Sequence, residues 1–210
     1  MEMLERFLAT TIWLGAGLVV MIRTFPGARA AYRLQALGEA GLAFAAGWAG
    51  GHPELDALGV AVLVVKGLVV PWWTSAVPDR VRRDYGARGP FGMATALAFG
   101  VALTVAAVLL VPRLGPPHPV VAGVVLAAFL LGLLSLVVRH ETWIMAWALL
   151  GLDTQAASFA LVVGGRQGPV LDGLALAVTL GLAWVLREAL RRVADLGHTT
   201  DARSLKELVG

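Results

Sequence analysis

The sequence has no cysteine. Disulfides, thiolate nucleophiles and cysteine-ligated metal centres are therefore excluded at the outset. Charge is scarce as well. Asp, Glu, Lys and Arg make up 15% of the 210 residues, where a soluble domain carries about 25%. Histidine occurs four times, with no two histidines at the spacing that holds a metal ion. A Walker loop, a Gly-x-Ser-x-Gly elbow and a dinucleotide fingerprint are all missing. The chain shows no catalytic centre, metal site or cofactor site of its own. It also lacks the alternating ten-residue segments of an outer-membrane barrel.

What is present is apolar. Hydrophobic residues account for 58% of the chain and the mean hydropathy is +0.77, gathered into windows near the ~20 residues that cross a hydrocarbon core as a helix. The pattern predicts an all-α integral membrane protein with seven transmembrane helices at about 5–23, 29–49, 56–76, 91–112, 119–138, 142–164 and 168–190. Breakers separate them: Pro26-Gly27, Gly50-Gly51-His52-Pro53, Pro78-Asp79, Gly115-Pro116-Pro117, and Gly164 through Pro169. The first apolar run lacks a basic leader and an Ala-x-Ala site, so it reads as a retained span. Residues 1–198 form the transmembrane domain. Thr199-Thr200-Asp201 then caps a short tail helix over 199–210.

The pI near 9.9 describes topology and not a nucleic-acid partner. With seven spans, Arg6, Arg113 and Arg166 share one side. Thirteen basic residues share the other, among them Arg80, Arg82, Arg83 and Arg88 of the loop 79–88, and Lys66 inside the membrane completes the 17. By the positive-inside rule the N-terminus is outside and the C-terminus cytoplasmic, in a multi-pass protein of the cell inner membrane. Trp13, Trp48, Trp72, Trp73, Trp143, Trp147 and Trp184 fall mostly near span ends, where interfacial anchoring accounts for them. Arg139-His140-Glu141 reads as the polar lip of span six.

The informative residues are the charges inside the spans. Lys66 lies near the middle of Leu55–Thr74. A lysine there costs about 2.5–3.5 kcal/mol on insertion scales and calls for a carboxylate partner. Pro71, five residues on, has no N–H for the carbonyl of Gly67, so the helix is expected to break or kink beside the lysine. Glu39 falls halfway through span two and Asp153 halfway through span six, at the depth of Lys66. Asp172 sits about one turn inside the outer end of span seven. Tyr32, Gln35 and Glu39 stand at i, i+3 and i+7, a polar stripe from the cytoplasmic end to the centre of span two. Burial disfavours the charged form of each group and an opposite charge favours it. A set balanced between these effects can load and unload a proton, with Lys66 toggling between Glu39 and Asp153. The other reading of the same residues is a fixed set of salt bridges that specifies helix packing.

Four segments carry a family likeness: Arg33–Ala43 (RLQALGEAGLA), Val62–Pro71 (VLVVKGLVVP), Leu149–Ala156 (LLGLDTQA) leading to Pro169–Leu174 (PVLDGL), and Asp201–Gly210 (DARSLKELVG). On these the chain resembles the hydrogenase-4 component E family, membrane subunits of formate hydrogenlyase-like and other group 4 [NiFe]-hydrogenase-related complexes. In its later spans, about 119–198, it is similar to the K-type subunit of respiratory complex I and the C-type subunit of cation/proton antiporters. The resemblance implies a non-catalytic subunit between the proximal membrane subunits and the large antiporter-like ones. Peripheral partners would carry the iron–sulfur clusters and the nickel–iron centre. Lys66 matches the family's lysine. Asp153 and Asp172 stand where the family usually carries glutamates, one methylene longer. The resemblance implies that these charges join a proton-translocation axis coupled to redox chemistry. An antiporter subunit without a redox arm, or a scaffold between larger subunits, are the alternatives the residues leave open.

Overall fold

The computed structural model describes residues 2–22, 24–74, 92–139, 141–164 and 168–196. The arginine-rich loop 79–88 and the tail helix expected over 199–210 lie outside the described residues. Seven helices follow one another among the described residues: α1 (Glu2–Met21), α2 (Phe25–Gly50), α3 (Pro53–Thr74), α4 (Met93–Leu110), α5 (Pro119–Val138), α6 (Thr142–Gly164) and α7 (Pro169–Leu196). A 3₁₀ turn, Val111–Leu114, extends α4. No strand forms among these residues. The limits track the expected spans to within four residues, except that α7 runs six residues past the expected 190, and prolines mark three of the starts. Pro53, Pro119 and Pro169 each open a helix, where the missing N–H costs nothing and φ is already helical. Gly51 ends α2 with φ of 64° and returns its N–H to the carbonyl of Gly47, a backbone state that a Cβ would penalise.

Six of the seven helices are long and apolar enough to cross a membrane, which fits an all-α multi-pass protein. The exception is α2, long enough at 26 residues but carrying Arg29, Arg33, Gln35 and Glu39. Its position explains the difference. It packs against α1, α3 and α6, and half of its residues are buried by protein, so its surroundings do not require an apolar surface all round. Helices α1, α2, α6 and α5 enclose the core. α4 lies outside against α5, and α3 and α7 cover the opposite flank.

Small residues set the closest approaches. A Cβ on Gly15 of α1 would stand 2.8 Å from the Ala31 carbonyl and 2.6 Å from Gln35 Cγ on α2. A Cβ on Gly123 of α5 would stand 3.1 Å from Val108 Cα on α4. Without water to drive helices together, such contacts supply the packing in a bilayer. The outer surface is correspondingly greasy. Val60, Leu68, Val101, Leu109, Val170 and Leu174 are all more than half exposed, a surface suited to hydrocarbon and not to water.

Two expectations change at one end of the bundle. Trp143 and Trp147 are not interfacial anchors; both are buried, with Phe25 and Tyr32, in one aromatic cluster with ring centroids 5.3–5.9 Å apart. Position along the helix put these tryptophans near a membrane surface, but the face they occupy turns inward. Nor is Arg139 part of a hydrated lip. It is buried, and its Nε donates to the Val20 carbonyl at 3.1 Å, with Nη2 on the same oxygen. The guanidinium thus ties the last turn of α1, where carbonyls lack helical partners, to the α5–α6 junction. Glu141 is buried beside this junction, and His140 lies outside the described residues.

Candidate functional site

Three helices deliver one charge each to a single point. Lys66 on α3 is 1% exposed, and its Nζ lies 3.0 Å from both Glu39 carboxylate oxygens on α2 and 3.0 Å from Asp153 Oδ2 on α6. An ammonium has three N–H donors, and here three carboxylate oxygens receive them. The pairing expected from shared depth is thus a direct contact. Two carboxylates and one ammonium carry a formal charge of −1, so a single proton brings the cluster to neutrality. Charges buried this deeply persist only when paired and hydrogen-bonded.

A fourth helix joins through a residue that sequence reasoning missed. Thr179 on α7 donates to Asp153 Oδ2 at 2.6 Å, with the Ala175 carbonyl at 3.1 Å as a second acceptor. Its single proton goes to the nearer, charged oxygen. Asp153 Oδ2 therefore takes donors from both Lys66 and Thr179. The legible signal was that Asp172 and Thr179 stand at i and i+7, one face of an otherwise apolar helix. Spacing on α7 alone could not say that this face meets α6.

The break beside Lys66 takes a specific form. Leu63–Val69 is a π-helical stretch inside α3, closed by a hydrogen bond from the Val70 N–H to the Val65 carbonyl. Pro71 follows at once, without an N–H to continue the ordinary i→i−4 ladder. The expected kink is thus absorbed as a widened turn that carries Lys66 and Gly67, an arrangement common at functional sites. Gly67 is buried, yet a Cβ there would meet nothing within 4 Å. No close approach requires this glycine.

The polar stripe on α2 divides. Glu39 belongs to the ion cluster. Gln35, one turn away, accepts from Gln155 Nε2 of α6 at 2.9 Å, in a pocket cleared by glycines. A Cβ on Gly151 would come within 2.9 Å of Gln35 Oε1, and one on Gly132 within 2.5 Å of Gln155 Oε1. Tyr32 is fully buried with its ring 5.3 Å from that of Trp147. Its hydroxyl neighbours Thr154 but falls short of a hydrogen bond. The end of the stripe expected to feed protons from the surface is therefore stacked into the aromatic cluster.

Asp172 comes to the same region from α7. It lies in the first turn of α7 and lines a cavity of about 70 Å³ that also touches Glu39 and Lys66. Among the described residues no group of three or more His, Asp or Glu is placed to hold a metal ion. Comparisons of the chain with protein-family models, with curated proteins and with solved structures found no match.

Proposed function

We propose that this chain is a seven-span subunit of the cell inner membrane that relays protons through its Glu39–Lys66–Asp153 cluster. The type of assembly it fits is the one its sequence resembles, the hydrogenase-4 component E family of redox-coupled membrane complexes. The observation that carries the reading is the lysine shared at equal distance, 3.0 Å, between carboxylates of two other helices. A lysine held by one carboxylate is an anchor; one held by two can transfer its weight from one to the other when either takes up a proton. Lys66 also sits on a π-helical turn, a feature frequent at functional sites.

In this reading α2 is the seventh span, sheltered by its neighbours, with the N-terminus outside and the C-terminus cytoplasmic. Asp172 extends the relay toward the outer face. Antiporter-like and proximal membrane subunits flank the chain in the bilayer, and peripheral subunits with iron–sulfur and nickel–iron centres supply the redox energy. The exposed apolar face of α7 leaves room for such neighbours.

The test has two stages. Mild-detergent purification at native expression, with mass spectrometry of what travels with the chain, should recover antiporter-like subunits together with nickel–iron or iron–sulfur subunits. Lys66→Met should then leave the complex assembled while abolishing redox-coupled proton movement. Antiporter-like subunits alone would transfer the reading to a cation/proton exchanger. A second reading rests on Thr179, which extends the cluster to a fourth helix as interhelical glue would. Under it, Lys66→Met would dissolve the complex and leave no coupling to measure.

A further inference from the structure

The surroundings of the cluster are unequal on its two sides. Toward the end of the bundle formed by Gly51, Gly115 and Gly164 lies the 70 Å³ cavity, bounded by all four helices that meet at the cluster. Glu39, Lys66 and Asp172 face it, with Ala43, Ala157 and Leu161 among the apolar walls. From Lys66 to Leu58, where α3 bounds its far side, is about 12 Å of helix. At about 30 Å³ for each water in the liquid, the space holds about two, with three ionisable groups as their partners. On the opposite side the Phe25, Tyr32, Trp143 and Trp147 rings pack against one another, none more than 2% exposed.

We infer that this cavity is a water-filled half-channel, through which the cluster exchanges protons with the Gly51–Gly115–Gly164 side and not with the aromatic side. Asp172 is its outer relay, a positioning and transfer group between bulk solvent and Glu39. A proton arriving along the waters neutralises the Glu39 carboxylate, which loosens its hold on the Lys66 ammonium and leaves that charge to Asp153. Return of the proton along the same path restores the original pairing, so no charge is created or lost. The inference deepens the proposed relay and rests on it for the direction of use. It gives the relay a side, the outer face in the proposed topology.

The chain is free of cysteine, so single-cysteine variants read water access without background. Ala43→Cys and Ala157→Cys place thiols on two helices that line the cavity. Ala28→Cys and Ala146→Cys place them in the core that surrounds the aromatic rings, and Val60→Cys places one on the exposed apolar face of α3. Right-side-out and inverted vesicles are treated with silver ion, a thiol reagent comparable in size to a water molecule, and the thiols left unmodified are then titrated with a maleimide after solubilisation. Because only a hydrated thiolate reacts, the cavity positions should be modified on the order of tenfold faster than the three controls, and from the outer side alone. Asp172→Asn should leave that accessibility in place and slow coupled proton movement. Modification no faster than the controls at both cavity positions, or from the cytoplasmic side, would overturn the half-channel. Since Ala43 and Ala157 lie on different helices, a folding failure at one leaves the other to decide. The labelling needs no redox partner. Labelling as expected with coupling unaffected by Lys66→Met would sink the relay and spare the channel; absent labelling with coupling lost would do the reverse.

Discussion

Replacing Lys66 with methionine tests the cluster most directly, because methionine keeps an unbranched stem, one atom shorter, and removes the charge. The change removes an ammonium that is 1% exposed and serves three carboxylate oxygens at 3.0 Å. Deleting one member of a buried ion pair costs about 3–5 kcal/mol, most of it from the partner left behind. Here the partners differ. The Glu39 side chain is 7% exposed and loses both of its lysine contacts, while Asp153, at 19%, keeps the Thr179 hydroxyl. Most of the penalty should therefore fall on Glu39. In a mixed-micelle unfolding titration, Lys66→Met should lose about 3–5 kcal/mol. Glu39→Gln should lose nearly as much, and Asp153→Asn clearly less. Combining Lys66→Met with Glu39→Gln removes both charges together, so the double variant should be more stable than the sum of the singles implies, by about 1–3 kcal/mol. Additivity within about 0.5 kcal/mol would mean that Lys66 and Glu39 do not interact, and the description of the site would be wrong.

Four further outcomes are expected. Thr179→Val keeps the shape and removes the hydroxyl bonded to Asp153, which should cost about 1.5–3 kcal/mol in the same titration, with the loss largely gone in an Asp153→Asn background. Gly15→Ala drives a Cβ against the Ala31 carbonyl and should destabilise by about 1–3 kcal/mol, whereas Gly67→Ala, with open space around its Cβ, should be neutral or gain up to about 1 kcal/mol. Trp147→Ala empties part of the aromatic cluster and should cost about 3–5 kcal/mol; a loss below about 1 kcal/mol would show that the rings do not carry that end of the core. Arg139→Leu leaves the Val20 carbonyl without its donor and should lower stability by about 1–3 kcal/mol, read most sensitively by faster amide exchange in the last turn of α1.

Most of the secondary structure was legible because each signal is local. Prolines at 53, 119 and 169 and the Gly50-Gly51 turn sit where helices begin and end, and apolar run length sets the spans. The charge cluster was legible for a different reason. Isolated ionisable groups in apolar helices must find one another, and their depth can be counted from the helix ends. That reasoning reached Glu39, Lys66 and Asp153 but not the roles of their neighbours. Tyr32, Gln35 and Glu39 share one face of α2, yet that face meets an aromatic cluster at Tyr32, an amide at Gln35 and an ammonium at Glu39. A stripe on one helix carries no information about what the facing helices bring. Trp143 and Trp147 show the same limit, since depth along α6 was read correctly and rotation about it was not.

Read from the amino acids alone, the chain is a set of apolar helices with legible limits, and its one buried lysine calls for a carboxylate partner from another span. The same reading has Pro71 disturb the helix beside that lysine. The tertiary structure decided what no single segment encodes: that the disturbance becomes a π-helical turn, that Thr179 completes the cluster from α7, and that one side of it opens into a cavity while aromatic rings fill the other. The physical reason is range. Helix limits follow from backbone chemistry within four or five residues, whereas rotation, packing and empty space are set by side chains brought together from helices far apart in the chain.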